Sequence, residues 1–107
     1  MSRSLDTPAA LAELVEYQDG GVVSQALVKS KAGTVSLFAF DAGEALSEHT
    51  APYDALLLIV EGRATVTVAG AAHAMEAGRI VRLPANVPHA VHADAAFKML
   101  LVMIREA

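Results

Sequence analysis

Gly43–Gly62, GEALSEHTAPYDALLLIVEG, and Gly78–His89, GRIVRLPANVPH, are the two stretches that decide how this chain folds. Each opens on a glycine, runs through or beside a β-rich segment and carries one histidine, His49 or His89. Asp54–Val60 is an apolar strand pattern, and Glu61-Gly62-Arg63 is a tight hairpin connection. Ile80–Leu83 is a shorter strand stopped by Pro84, and Pro84–Pro88 is a turn stiffened by two prolines just ahead of His89. Two histidines this far apart act together only if the fold joins them. A small antiparallel barrel does so, because alternate residues of every strand share one interior.

The same grammar extends in both directions. Val22–Val28 and Thr34–Phe40 are rich in β-branched and aromatic residues and are separated by a glycine-containing turn. Asp41–Glu44 is a further turn, Ala64–Val68 alternates as a half-buried strand does, and Gly70 breaks it. His73–Met75, Ala90–His92 and Phe97–Ile104 complete roughly eight or nine short strands. Ahead of them, Thr7 and Pro8 begin a short helix with an apolar stripe of Leu11, Leu14 and Val15, ended at Gln18–Gly21. The expected organisation is an N-terminal helical arm over 1–20 and one all-β domain over 21–107. A second crossover helix is lacking, which disfavours a parallel α/β sheet. The strand pattern alone leaves a jelly roll, a lipocalin-like barrel and a sandwich open.

Composition narrows the function. The chain has 107 residues, suiting one domain, and a formal net charge of −4, which disfavours phosphate backbones and anionic membranes. Three phenylalanines, two tyrosines and no tryptophan make a poor base-stacking surface, so neither nucleic acid nor membrane is an expected partner. The absence of cysteine removes disulfides, thiolate nucleophiles and iron–sulfur clusters. No apolar run reaches the ~18 residues of a membrane span. The N-terminal residues lack the apolar centre of a secretory signal, and the expected location is cytoplasmic.

The two histidine segments resemble the two sequence motifs of the cupin superfamily, over about residues 33–104. The first motif is a glycine, five residues, His-x-His, three or four residues, a glutamate, six residues and a glycine; Gly43, His49 and Gly62 fit. The second is a glycine, five residues, Pro-x-Gly, two residues, a histidine, three residues and an asparagine; Gly78, Pro84 and His89 fit. The resemblance implies an RmlC-like jelly-roll β-barrel. In metal-binding members the ligands are both histidines and the glutamate of the first motif and the histidine of the second. Here Ala51 and Ala55 occupy two of those positions, Asn86 stands for the middle glycine of the second motif and Ala93 for its asparagine. His49 and His89 are therefore the candidate metal ligands, for one divalent transition ion (Fe, Mn, Ni or Zn) held weakly or for none.

Several carboxylates stand nearby without fitting the motif. Asp54 is one residue early, and a one-residue shift turns a strand side chain to the other face unless a bulge near Pro52 restores it. Glu48 adjoins His49 and points away from it, while Glu44 sits in a turn that can fold over the barrel mouth. His92, three residues after His89, faces the opposite way, and His73 reads as a second surface histidine. Tyr53 either places its hydroxyl at the mouth or is a packing tyrosine, and Arg82 is a rim cation or a surface arginine. On the last strand, Lys98 prefers solvent, which turns Met99 and Met103 inward as an apolar pocket wall or ordinary core. Leu100, Val102 and Ile104 share the outer face, and an apolar outer face needs a cover. A second subunit supplies one, and a homodimer is expected.

The functional expectation is a compact small molecule bound between His49 and His89, with the candidate pocket completed by Tyr53, Met99 and Met103. Metal-dependent catalysis of dioxygenase or isomerase type, cofactor-free acid–base catalysis and a non-catalytic module with a filled barrel stand as alternatives.

Overall fold

The computed structural model describes residues 5–105. The chain forms β1 (Val22–Ser30), β2 (Gly33–Phe40), β3 (Ala45–His49), β4 (Asp54–Glu61), β5 (Arg63–Val68), β6 (Ala71–Glu76), β7 (Ile80–Leu83), β8 (His89–Ala93) and β9 (Phe97–Ile104). They assemble into a five-stranded sheet, β1-β2-β9-β4-β7, facing a four-stranded sheet, β3-β8-β5-β6. Every pairing is antiparallel. This is the jelly-roll arrangement of an all-β barrel, and among the described residues no helix is long and apolar enough to cross a membrane.

Alternation builds the interior. On β4, Ala55, Leu57 and Ile59 point inward and are buried, as are Ala64 and Val66 of β5 from the facing sheet. Thr65 and Thr67 occupy the other, half-exposed face of β5, where the Thr65 hydroxyl donates to Asp94. Phe40 and Phe97 are register partners across β2 and β9, and their rings stack with centroids 4.6 Å apart. Phe97 and Met99 lie in the same buried cluster, with Leu101 and Met103 packed against it. The inward direction expected for the methionines is the observed one.

Two features of the arm and of β9 differ from expectation. The short helix is a single 3-10 turn, Leu11–Leu14, preceded by extended Ala10, which makes no side-chain cap, and followed by extended Val15. So few residues cannot repay helix nucleation, and the segment is held by burying Leu14 and Val15 against Leu37 and Ala39 on the outside of the larger sheet. Residues 1–4 of the expected arm and 106–107 of the expected barrel domain lie outside the described residues. Lys98 is not solvated: it is 8% exposed on the outer face of β9. Its Nζ donates to Ala12 O at 2.6 Å and lies 4.8 Å from the Tyr17 ring centroid. Tyr17 in turn donates its hydroxyl proton to Glu61 Oε2 at 2.6 Å. Burial, then the hydrogen bond and negative charge of Glu61, raise the Tyr17 pKa and keep that proton in place. The arm thus covers one part of the outer apolar face. Farther along the sheet a row of register partners, Val28, Val35, Val102 and Leu56, runs across four strands outside that cover.

Candidate functional site

His49 ends β3 and His89 begins β8, and the two are cross-strand partners in the smaller sheet. Their convergence needs an irregularity. Leu46 pairs with Val91 and packs on the core, and His49 lies three positions beyond Leu46 while His89 lies only two positions from Val91. Strict alternation would put His49 on the outer face; the register shift between Leu46 and His49 returns it to the side of His89. The bulge lies ahead of His49, not near Pro52 where the sequence reading placed a candidate one. β3 itself was not apparent in the sequence, because Ala45–His49 offers only Leu46 as a core residue.

The loop before His89 is held just as firmly. Asn86 adopts φ 63°, the left-handed conformation expected of the residue at the motif's glycine position. Its N–H donates to Ala51 O at 2.7 Å, and Ala85 N–H donates to Asp54 Oδ1 at 2.8 Å. Asp54 is therefore a brace for the Pro84–Pro88 turn, joining it to the segment that follows His49.

The imidazole chemistry follows from the hydrogen bonds. His49 Nδ1 lies 2.8 Å from Ser47 O and His89 Nδ1 lies 3.2 Å from Val87 O. A carbonyl oxygen only accepts, so each Nδ1 carries the proton and each neutral ring presents an Nε2 lone pair. Those two Nε2 atoms are 3.1 Å apart, with ring centroids at 4.3 Å and planes at 69°. Two facing lone pairs repel unless something positive joins them, a shared proton or a cation. His89 is 7% exposed. Burial lowers its pKa against the opposing effect of Val87 O, and His49 lowers it further, which favours the neutral ring.

The remaining candidates divide clearly. Tyr53 is half-buried, and its ring is covered by the Arg105 guanidinium at 5.2 Å. Met99 is fully buried core and Met103 is half-buried against that core. Arg82 is exposed on β7 beside Leu56 of β4. His92 is exposed and its Nδ1 lies 2.9 Å from Asp94 Oδ1, on the face opposite His89. His73 is exposed too, yet it sits on β6 opposite buried Val66, on the inward side of the sheet and two strands from β8. Glu44 is half-buried and Glu48 is exposed. Among the described residues, no group of three or more histidine, aspartate and glutamate side chains is gathered as a metal cage. The protein's own contribution at this centre is two nitrogen donors.

Known proteins match this architecture closely. A conserved protein of unknown function from Streptococcus pyogenes is 27% identical, with a TM-score of 0.93 over 100% of this chain and 94% of that one. A cupin superfamily protein from Desulfitobacterium hafniense is 31% identical, with a TM-score of 0.92 over 99% of this chain and 97% of that one. A cupin 2 conserved barrel domain protein from Leptotrichia buccalis is 41% identical over 89% of this chain, which spans 46% of that protein, with a TM-score of 0.85. A search of the curated proteins returns no match. The family model described as the cupin domain matches residues 36–104, from β2 to the end of β9, and so takes in both histidine segments and the strands that join them. By that match and by its two-sheet jelly roll, the protein belongs to the cupin family.

Proposed function

We propose that the protein binds a compact small molecule at the His49–His89 centre, through a divalent transition metal held by the two Nε2 atoms. The observation that carries this reading is the pair of Nε2 atoms 3.1 Å apart, each on a ring whose Nδ1 lies within hydrogen-bond distance of a backbone carbonyl. Imidazoles that ligate metals almost always donate their other ring proton in this way, which fixes the tautomer and aims the ring. Two nitrogens each about 2.0–2.1 Å from one ion are about 3 Å apart when they occupy neighbouring positions, so the donor set fits. With only two protein ligands the ion is held weakly and keeps positions for solvent or for an oxygen donor of the ligand. A bound ion would supply Lewis acidity there, while the protein supplies the fixed tautomers and a mouth braced by Asp54.

The test is calorimetric titration of zinc or cobalt into chain purified without a nickel column, beside elemental analysis of the protein as isolated. One saturable equivalent is expected, and His49→Ala or His89→Ala should each weaken it by more than the roughly 10–100-fold lost on removing an outer partner. Unchanged affinity in the doubly substituted chain would overturn the reading.

Assembly as a homodimer is supported by the outer row of the larger sheet. Val28 and Leu56 are exposed at 55% and 37%, and Ile104, at the end of β9, at 54%. An apolar sheet face left to water is costly, and a second copy laid across it would cover the part that the arm does not. Light scattering at micromolar concentration should give twice the chain mass, and Leu56→Glu/Val102→Glu should give the single mass. A monomeric parent chain would remove the dimer from the reading.

A further inference from the structure

The histidine pair is not the roomiest part of the molecule. A cavity of about 440 Å³ opens at the other end of the smaller sheet, and neither His49 nor His89 lines it. β6 and β7 are outermost strands of their respective sheets and are not paired with each other. The cavity enters the sandwich there. Met75, Val81 and the exposed Ile80 are its apolar lining, and Arg63, on the face of β5 opposite buried Ala64, stands at its rim with Arg79 and His73. Ala64 pairs with Ala93 and Val68 with His89, so the cavity lies four residues along the strands from the histidine centre. With the spacing from β8 to β6 added, the separation is on the order of 15 Å.

The charges around this cavity are unevenly committed. Among the described residues, neither the Arg63 nor the Arg79 guanidinium makes a hydrogen bond or an ion pair. Asp94 also lines the cavity, but its carboxylate is already engaged: Thr65 donates to Oδ2 at 2.7 Å and His92 Nδ1 meets Oδ1 at 2.9 Å. The positive charge of Arg63 adds to the forces holding Asp94 ionised. Glu76 is an exposed opposing charge and the register partner of Arg63, yet the two form no ion pair. Two guanidiniums with open donors beside an apolar recess match a ligand with one anionic head and an apolar body. The recess also has the volume of an ordinary small-molecule pocket.

We infer that the cleft between the β6 and β7 edges is a second ligand site, distinct from the histidine centre, which takes a small organic carboxylate. Arg63 and Arg79 hold the carboxylate at the rim, and the apolar body lies against Met75, Ile80 and Val81.

Octanoate is a suitable probe, titrated into the whole chain and followed by amide chemical shifts and calorimetry. For a ligand of this size a dissociation constant on the order of 1 mM is expected. The amides of 63–64, 73–76, 79–81 and 94 should move, and those of 47–51 and 86–90 should not. Both arginines are exposed, so Arg63→Gln/Arg79→Gln should fold normally and weaken octanoate about tenfold or more, as loss of charge-assisted hydrogen bonds requires. Octanol and octylamine should bind at least as poorly. His49→Ala/His89→Ala should bind octanoate as the parent does, which separates this site from the metal reading. No saturable shift at about 10 mM octanoate, shifts confined to 47–51 and 86–90, or equal binding of octanol would each overturn the assignment.

Discussion

Gly62→Ala should destabilise the protein by about 3–5 kcal/mol, a large part of the total stability of a small domain. Two separate effects add at this position. Gly62 connects β4 to β5 with φ 81°, a conformation that costs a non-glycine residue about 1–3 kcal/mol. A Cβ built there would also lie 2.1 Å from Ala96 O and 2.7 Å from Phe97 Cα. Both obstacles are backbone, at the start of the strand that carries Phe97 and Met99 into the core, and backbone moves only if β9 moves. Gly78→Ala separates the two effects. Gly78 has φ 91°, but nothing within 4 Å of the added carbon, so only the conformational cost of about 1–3 kcal/mol applies. Urea denaturation of both variants measures the difference. Equal midpoints would show that the approach of Ala96 and Phe97 relaxes without cost.

Lys98→Ala should lower stability by about 2–5 kcal/mol and release the N-terminal segment from the sheet. The charge-assisted hydrogen bond to Ala12 O contributes about 1.5–3 kcal/mol. The ammonium over the Tyr17 ring adds about 0.5–2 kcal/mol. The Glu61 carboxylate at 3.7 Å is partly exposed and adds little. Because the lysine is buried at 8% exposure, its stem also packs the arm against β9. Proteinase K should then cleave within residues 5–20 faster than in the parent chain, with the barrel intact. Lys98→Met keeps the stem and loses the charge, so it should recover part of the stability and little of the protection. Unchanged cleavage in both variants would mean that Leu14 and Val15 hold the arm by themselves.

These two sites differ in how visible they are from the amino-acid order. Gly62 closes a motif at a fixed distance from Gly43 and His49, and a glycine at a hairpin carries its own explanation. Asn86 was legible for the same reason, since a left-handed backbone is a local property of one residue. The inward faces of β4, β5 and β9 were legible because alternation repeats over enough residues to be counted. Lys98 misled because solvent preference is an average, and a lysine can be buried when a carbonyl and an aromatic ring meet it. Both partners lie more than eighty positions earlier, as the separation of 86 between Lys98 and Ala12 shows. β3 was missed because a five-residue strand with one core side chain carries almost no pattern.

The amino-acid order alone determined the all-β class, the strand alternation, the turn glycines and the two histidines worth watching, because each depends on residues close together along the chain. Pairing decided the rest. Only the antiparallel register of β3 with β8, with its bulge, places the Nε2 atoms 3.1 Å apart. Only the ends of the two sheets leave Arg63 and Arg79 beside an open recess. Distances between groups tens of residues apart are set by which strands become neighbours, and that is a property of the folded sheets as a whole.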